Sequence, residues 1–101
     1  TAERTWAYLL TVRSDLSPRV VAVGPLWEAS RLVVDVGEGT ARNAEQHSSV
    51  TLCYPPLDAD GYSLIVDGIA EVGELLDGAV RISIDPSGAV LHRPATYSRR
   101  P

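Results

Sequence analysis

The sequence predicts a mainly β fold, an antiparallel split β-barrel of six to seven strands with Greek-key-like winding and one short helix after the third strand. Three observations carry this expectation. Short apolar runs recur along the whole chain, several of them alternating with period two. Nearly every connection between them is too short for the crossover that parallel strands need. One stretch alone, residues 40–47 "TARNAEQH", has neither strand alternation nor turn composition and reads as a helix. A sandwich has no use for a helix in mid-chain, whereas a barrel that closes imperfectly can set one over its gap.

In chain order, "WAYLLTV" (6–12) precedes "RSDLSP", whose serines, aspartate and proline form turns. "RVVAVGPLW" (19–27) is read as one strand, joined by "EAS" at hairpin length to "RLVVDV" (31–36). After the helix, "SVTLCY" (49–54) alternates, with Val50, Leu52 and Tyr54 on one face and Thr51 and Cys53 on the other. "YSLIVDGIAEV" (62–72) is longer, and Gly68 within it marks a bulge or a close backbone approach. "AVRISID" (79–85) sets Val80, Ile82 and Ile84 against Arg81, Ser83 and Asp85. "DPSG" (85–88) reads as a turn and "AVLH" (89–92) as the last strand.

At 101 residues, 45% hydrophobic and 22% charged, the chain is expected to form a single domain over 1–101, with 95–101 as a tail. A monomer of this size buries a modest share of its surface, which favours a dimer. The formal net charge of −4 argues against a nucleic-acid partner. Every apolar run is interrupted by Asp35, Asp67 or a glycine before it could span a membrane. No secretory signal is read, and the lack of methionine suggests a trimmed N-terminus. Cys53 is the single cysteine, which fits a reducing cytoplasm. All nine cations are arginine, a hint of a GC-rich bacterial genome.

The helix start holds the main candidate for chemistry. Gly37 and Gly39 let the backbone leave strand 31–36 sharply, Thr40 is read as the N-cap, and Arg42 then falls at the second helical position. A cation there opposes the positive end of the helix dipole unless an external anion joins it. Helix-start amides, a threonine hydroxyl and a guanidinium fork together make a phosphate site. The competing reading is a solvated arginine paired with Glu38 or Glu45 at helical spacing.

The order of "RVVAVGPLW", a hairpin, "RLVVDV", "GTARNAEQH", "SSVTLCYP", "YSLIVDGIAEV" and "AVLHRPA" resembles the pyridoxamine 5′-phosphate oxidase-like FMN-binding split barrels, over roughly residues 6–95. The ending is similar to that of small actinobacterial members. The resemblance implies a homodimer with flavin mononucleotide at the subunit interface. It implies phosphate contacts from Arg19, Thr40 and Arg42, and ring contacts at Asp35, Val36 and Ser63. Ala41 stands where pyridoxamine phosphate oxidases carry a further arginine, Val36 lacks the family's threonine hydroxyl, and Ser63 is shorter than the family's glutamine. Flavin recognition is thus expected and pyridoxal-type substrate recognition is not.

No metal-ligand spacing or catalytic constellation is visible. His92, His47, Cys53, Asp67 and Trp6 read as structural or surface residues, and Trp27 stays open between packing and flavin stacking. The functional expectation is an FMN-binding oxidoreductase-like protein with an unknown small-molecule substrate. An F420-dependent oxidoreductase of the same fold and a cofactor-free dimeric binding module are the alternatives.

Overall fold

Two hairpins and a three-stranded meander build the sheet. In the computed structural model, which describes residues 4–58 and 61–93, β1 (Ala7–Val12) turns back into β2 (Pro18–Val23) and β3 (Leu26–Glu28) into β4 (Arg31–Val36). The helix α1 (Glu38–Gln46) follows, and then β5 (Ser49–Tyr54), β6 (Ser63–Leu76) and β7 (Ala79–His92) run up and down in succession. All ladders are antiparallel, and the strand order is β2-β1-β5-β6-β7-β4-β3. Each hairpin therefore flanks the meander on one side, β1 against β5 and β4 against β7. The sheet curls until β2 meets β4, but no ladder joins them among the described residues, so the barrel stays split.

The inward-facing residues follow from the period-two pattern. Leu32, Val34 and Val36 of β4, Val50, Leu52 and Tyr54 of β5, and Val80, Ile82 and Ile84 of β7 form one core with Ala7 and Leu9 of β1. Val23 of β2, Val66 and Ala70 of β6, and Ala41 and Ala44 of α1 belong to the same core, the small helix side chains bringing α1 close to the sheet.

Three boundaries differ from the sequence reading. The strand expected over 19–27 divides at Gly24–Pro25, where proline withdraws a donor, so its halves become opposite edges of the sheet and the helix follows the fourth strand. The turn expected at "DPSG" is absent: β7 runs through it. Pro86 is tolerated there because β7 has lost β4 beyond the Leu32–Ile84 pair and because Pro86 faces the irregularity at Asp67/Gly68. The real turn is Asp77–Gly78, both at positive φ (53° and 81°), a two-residue hairpin of the Asp-Gly kind that extends β6 to Leu76. The count of seven strands is kept because one expected strand splits while two others fuse. The calls on 1–3 and on the 95–101 tail lie outside the described residues.

Gly68 is buried at the β6–β7 irregularity, and a Cβ there would stand 2.6 Å from Ile84 Cγ2 and 2.8 Å from the Asp85 carbonyl oxygen. Gly68→Ala is expected to cost about 1–3 kcal/mol, lowering the melting temperature by roughly 4–8 °C per kcal/mol. Gly88→Ala, where a Cβ would meet nothing within 4 Å, is the neutral comparison in the same thermal unfolding experiment.

Candidate functional site

The helix begins earlier than Thr40. Gly37 is the N-cap, with φ −74° and ψ 168° and no side-chain capping bond, which puts Thr40 at the third helical position and Arg42 at the fifth. The threonine is displaced as cap because Glu38 and Gly39 already adopt helical geometry. Glu38 sits in the first turn, where an acid suits the dipole. No side chain caps the first amides, which remain available as donors.

These amides open onto a cleft of about 420 Å³ lined by Arg13, Arg19, Gly37, Gly39, Thr40, Arg42 and Asn43. The three residues read as phosphate ligands thus meet in one place, although they come from β2 and α1. Asn43 explains how. Its Nδ2 donates a 3.3 Å hydrogen bond to Oγ1 of Thr11, which is only 2% exposed and pairs across β1–β2 with Arg19. The bond ties the helix to the hairpin that carries Arg19.

Arg13 and Asn43 were not anticipated from the sequence. Strand parity was the available signal for Arg13: it lies two residues beyond Thr11, hence on the same face as Arg19. Arg13 Nε donates to Ser17 Oγ at 2.9 Å, and Ser17 Oγ and the Ser17 amide both donate to Asp15 Oδ1. These bonds from Ser17, with Arg13 adding a smaller attraction, hold the Asp15 carboxyl below the usual carboxylate range.

No carboxylate lines the cleft, and none of its three arginines is in an ion pair among the described residues. The pairing of Arg42 with Glu38 or Glu45 is therefore not formed. Nor does backbone geometry demand the glycines, since neither Gly37 nor Gly39 has positive φ. A Cβ on either would meet nothing within 4 Å, so packing does not demand them either. Both glycines line the cleft with bare backbone.

The other three candidates lie elsewhere. Asp35 is on the outer face of β4, bonded to Arg81 Nε at 3.0 Å and Nη2 at 3.2 Å, and this guanidinium lowers its pKa. Val36 is a core residue. Ser63 starts β6 opposite His92, seven residues from the Ala70 amide that bonds Ser48 just after the helix. Trp27, 61% exposed on edge strand β3, and Trp6, edge-on to Tyr8 at 5.1 Å, are surface aromatics. Cys53 lies opposite to Tyr54 in facing, as its alternation requires. Among the described residues no cluster of histidine, cysteine and carboxylates could hold a metal, and no helix is long and apolar enough to cross a membrane.

No family model matches the chain. Uncharacterized proteins of Mycobacterium bovis and Mycobacterium tuberculosis are 40% identical over 102 residues, covering 89% of this chain and 72% of theirs. Among solved structures, a putative pyridoxamine 5′-phosphate oxidase of Listeria innocua superimposes with a TM-score of 0.75 at 15% identity, over 89% of this chain and 90% of that one. An F420 reductase gives 0.70 at 20% identity over 86% and 90%, and a heme storage protein of Vibrio cholerae 0.75 at 17% over 89% and 87%. The chain belongs to the family of the mycobacterial proteins, and its fold is the pyridoxamine 5′-phosphate oxidase-like split barrel.

Asn43→Ala is expected to cost about 1–3 kcal/mol by leaving the buried Thr11 hydroxyl without its partner, read as a lower melting temperature. Gly39→Ala should move stability the other way, by about 0.4–1 kcal/mol, because helical backbone accepts alanine and nothing obstructs its methyl.

Proposed function

We propose that this member of the mycobacterial family binds a flavin-type cofactor through its phosphate, FMN first, and serves as an FMN-dependent oxidoreductase-like protein. The observation that carries this reading is the acid-free cleft in which Arg13, Arg19 and Arg42 meet the uncapped start of α1. The residues suit a phosphate monoester: guanidinium forks and backbone amides donate to its oxygens, and the Thr40 hydroxyl adds a further donor. The bare glycines leave space for close approach. FMN, when bound, supplies the redox chemistry, while the chain orients it and sets its electrostatic surroundings. That division is compatible with a sequence in which no catalytic constellation is visible. Asp35, Val36 and Ser63 are proposed ring neighbours on the family resemblance alone.

F420 is the second reading. The likeness to an F420 reductase favours it, as does a cleft carrying more positive charge than one phosphate neutralises.

A homodimer is proposed through the outer face of the sheet. Tyr8, Cys53, Ile65 and Val90 form one cross-strand row on β1, β5, β6 and β7, in which Tyr8 is 41% and Val90 58% exposed. Such a row is the kind of apolar surface that interfaces cover.

Arg42→Ala is expected to weaken FMN binding by about 1.5–3 kcal/mol, roughly 10- to 150-fold in Kd, with thermal unfolding unchanged. Fluorescence titration of FMN, with F420 in parallel, reads it, and equal affinity in variant and parent would remove Arg42 from the phosphate site. In sedimentation at micromolar concentration the parent should run as a dimer and Val90→Glu as a monomer. A monomeric parent would rule out the interface.

A further inference from the structure

We propose that two copies of the chain pack end over end, with the two-fold axis along the row Tyr8–Cys53–Ile65–Val90, so that Asp67 of one copy meets Ser63 and His92 of the partner subunit. This rests on the outer-face homodimer proposed above and adds to it which residues pair across the interface.

The polar groups on this face motivate the proposal. The central row is uncharged. The row on one side of it holds Val20, Leu10, Thr51, Asp67 and Gly88. The row on the other side holds Ser63 and His92, with Trp6 on the same face as Tyr8 by alternation. Asp67 is the one charged residue of its row. Thr51 Oγ1 donates to its Oδ1 at 2.6 Å, while Oδ2 accepts no hydrogen bond and the carboxylate enters no ion pair among the described residues. His92 has no polar partner there either: Arg93 beside it lies over the Tyr62 ring, and Asp58 of the β5–β6 loop forms no ion pair. Within one chain Asp67 and His92 cannot meet. Ser63, which pairs with His92, lies four residues from Asp67 along β6, about 14 Å.

A second copy joins them. Sheets packed face to face lie about 10 Å apart with their strands nearly aligned, and a two-fold axis relating them runs in the plane between them. Set along the central row, that axis brings the Asp67 row of each copy onto the His92 row of the other. Asp67 then stands over the partner's Ser63, and Gly88 over the partner's His92. Gly88 is exposed and a Cβ on it would meet nothing within 4 Å, so the imidazole has room to lie against it, beside the carboxylate. The serine hydroxyl and an imidazole N–H both donate to the carboxylate oxygens, and the symmetry repeats the contact. At the other end of the rows Leu10 meets the partner's Trp6, apolar against apolar. An axis along the strands would instead match each row with itself. Asp67 would then be covered by Val20, Leu10, Thr51 or its own image, and covering a carboxylate without a partner is costly.

The test is a charge exchange read by sedimentation of the full chain over a dilution series. Asp67→Arg sets a cation against the partner's His92, and His92→Asp sets an acid against the partner's Asp67. Each should raise the dimer Kd by about tenfold or more, because each removes a hydrogen bond to a charged group twice per dimer. The double variant Asp67→Arg/His92→Asp restores opposite charges across the axis and should return to within about threefold of the parent. Both side chains are exposed, and recovery in the double variant rules out misfolding as the cause of the single losses. If the parent is a dimer but either single variant matches it, or the double variant stays as weak as the singles, the end-over-end pairing is wrong and the outer-face dimer stands on Val90→Glu. If the parent is a monomer, both fall.

Discussion

The constraint on which the rest depends is the passage of the chain from β4 to β5 across the end of the barrel. These strands lie three places apart, with β7 and β6 between them. Three steps of about 4.8 Å come to ~14 Å. A helix of nine residues, rising about 1.5 Å each, covers nearly the same distance. The connection can therefore be made by α1 with little slack. Ala41 and Ala44 press its inner side onto the core, the His47 amide closes its end on the Asn43 carbonyl, and Ala70 of β6 takes hold of Ser48 just beyond. Once both ends are held, the start of the helix has one place to be, against the β1–β2 hairpin. The Asn43–Thr11 bond holds it there.

Much of this architecture was legible in the sequence, because period-two burial is a strong constraint on residues such as Leu52, Ile82 and Ile84. The parts that were not legible share a cause. Pro25, within a run read as one strand, and Pro86, within a stretch read as a turn, behave the other way round: the first ends a strand and the second sits inside one. The difference lies in whether a neighbouring strand needs the missing donor, which only the finished sheet decides. The helix start was misplaced by three residues because Thr40 has a capping side chain and Gly37 does not, while the exit geometry of β4 selected Gly37. Arg19 and Arg42 could be suspected singly. That Arg13 joins them is a matter of hairpin parity, and that Asn43 docks the helix is a tertiary contact with no local signature.

Fold likeness alone does not choose the ligand. Chains with this barrel include a putative pyridoxamine 5′-phosphate oxidase, an F420 reductase and a heme storage protein, each below 25% identity to this one. The case for an anion comes from this chain's own residues, and from two costs it accepts. Three guanidiniums in one cleft repel one another, and the helix start carries a glycine cap, less stabilising than a side-chain cap by roughly a few tenths of a kcal/mol. Neither cost has a structural return among the described residues, and a bound anion relieves both.

The open seam of the barrel explains why the cleft exists where it does. Arg19 belongs to β2, at one edge of the sheet, and Gly37 directly follows β4, which lies next to the other edge. The sheet brings β2 against β4 without a ladder. A ladder there would set the two strands about 4.8 Å apart and spend their backbone groups on each other. With no ladder, the seam can widen toward the helix start, and side chains from two distant parts of the sequence face one space. The break at Gly24–Pro25 carries the chain from one edge of the sheet to the other and so leaves β2 with a free side. The same break that ends the second strand early thus keeps the barrel open where the arginines converge, so the failure to close and the candidate site have one structural origin.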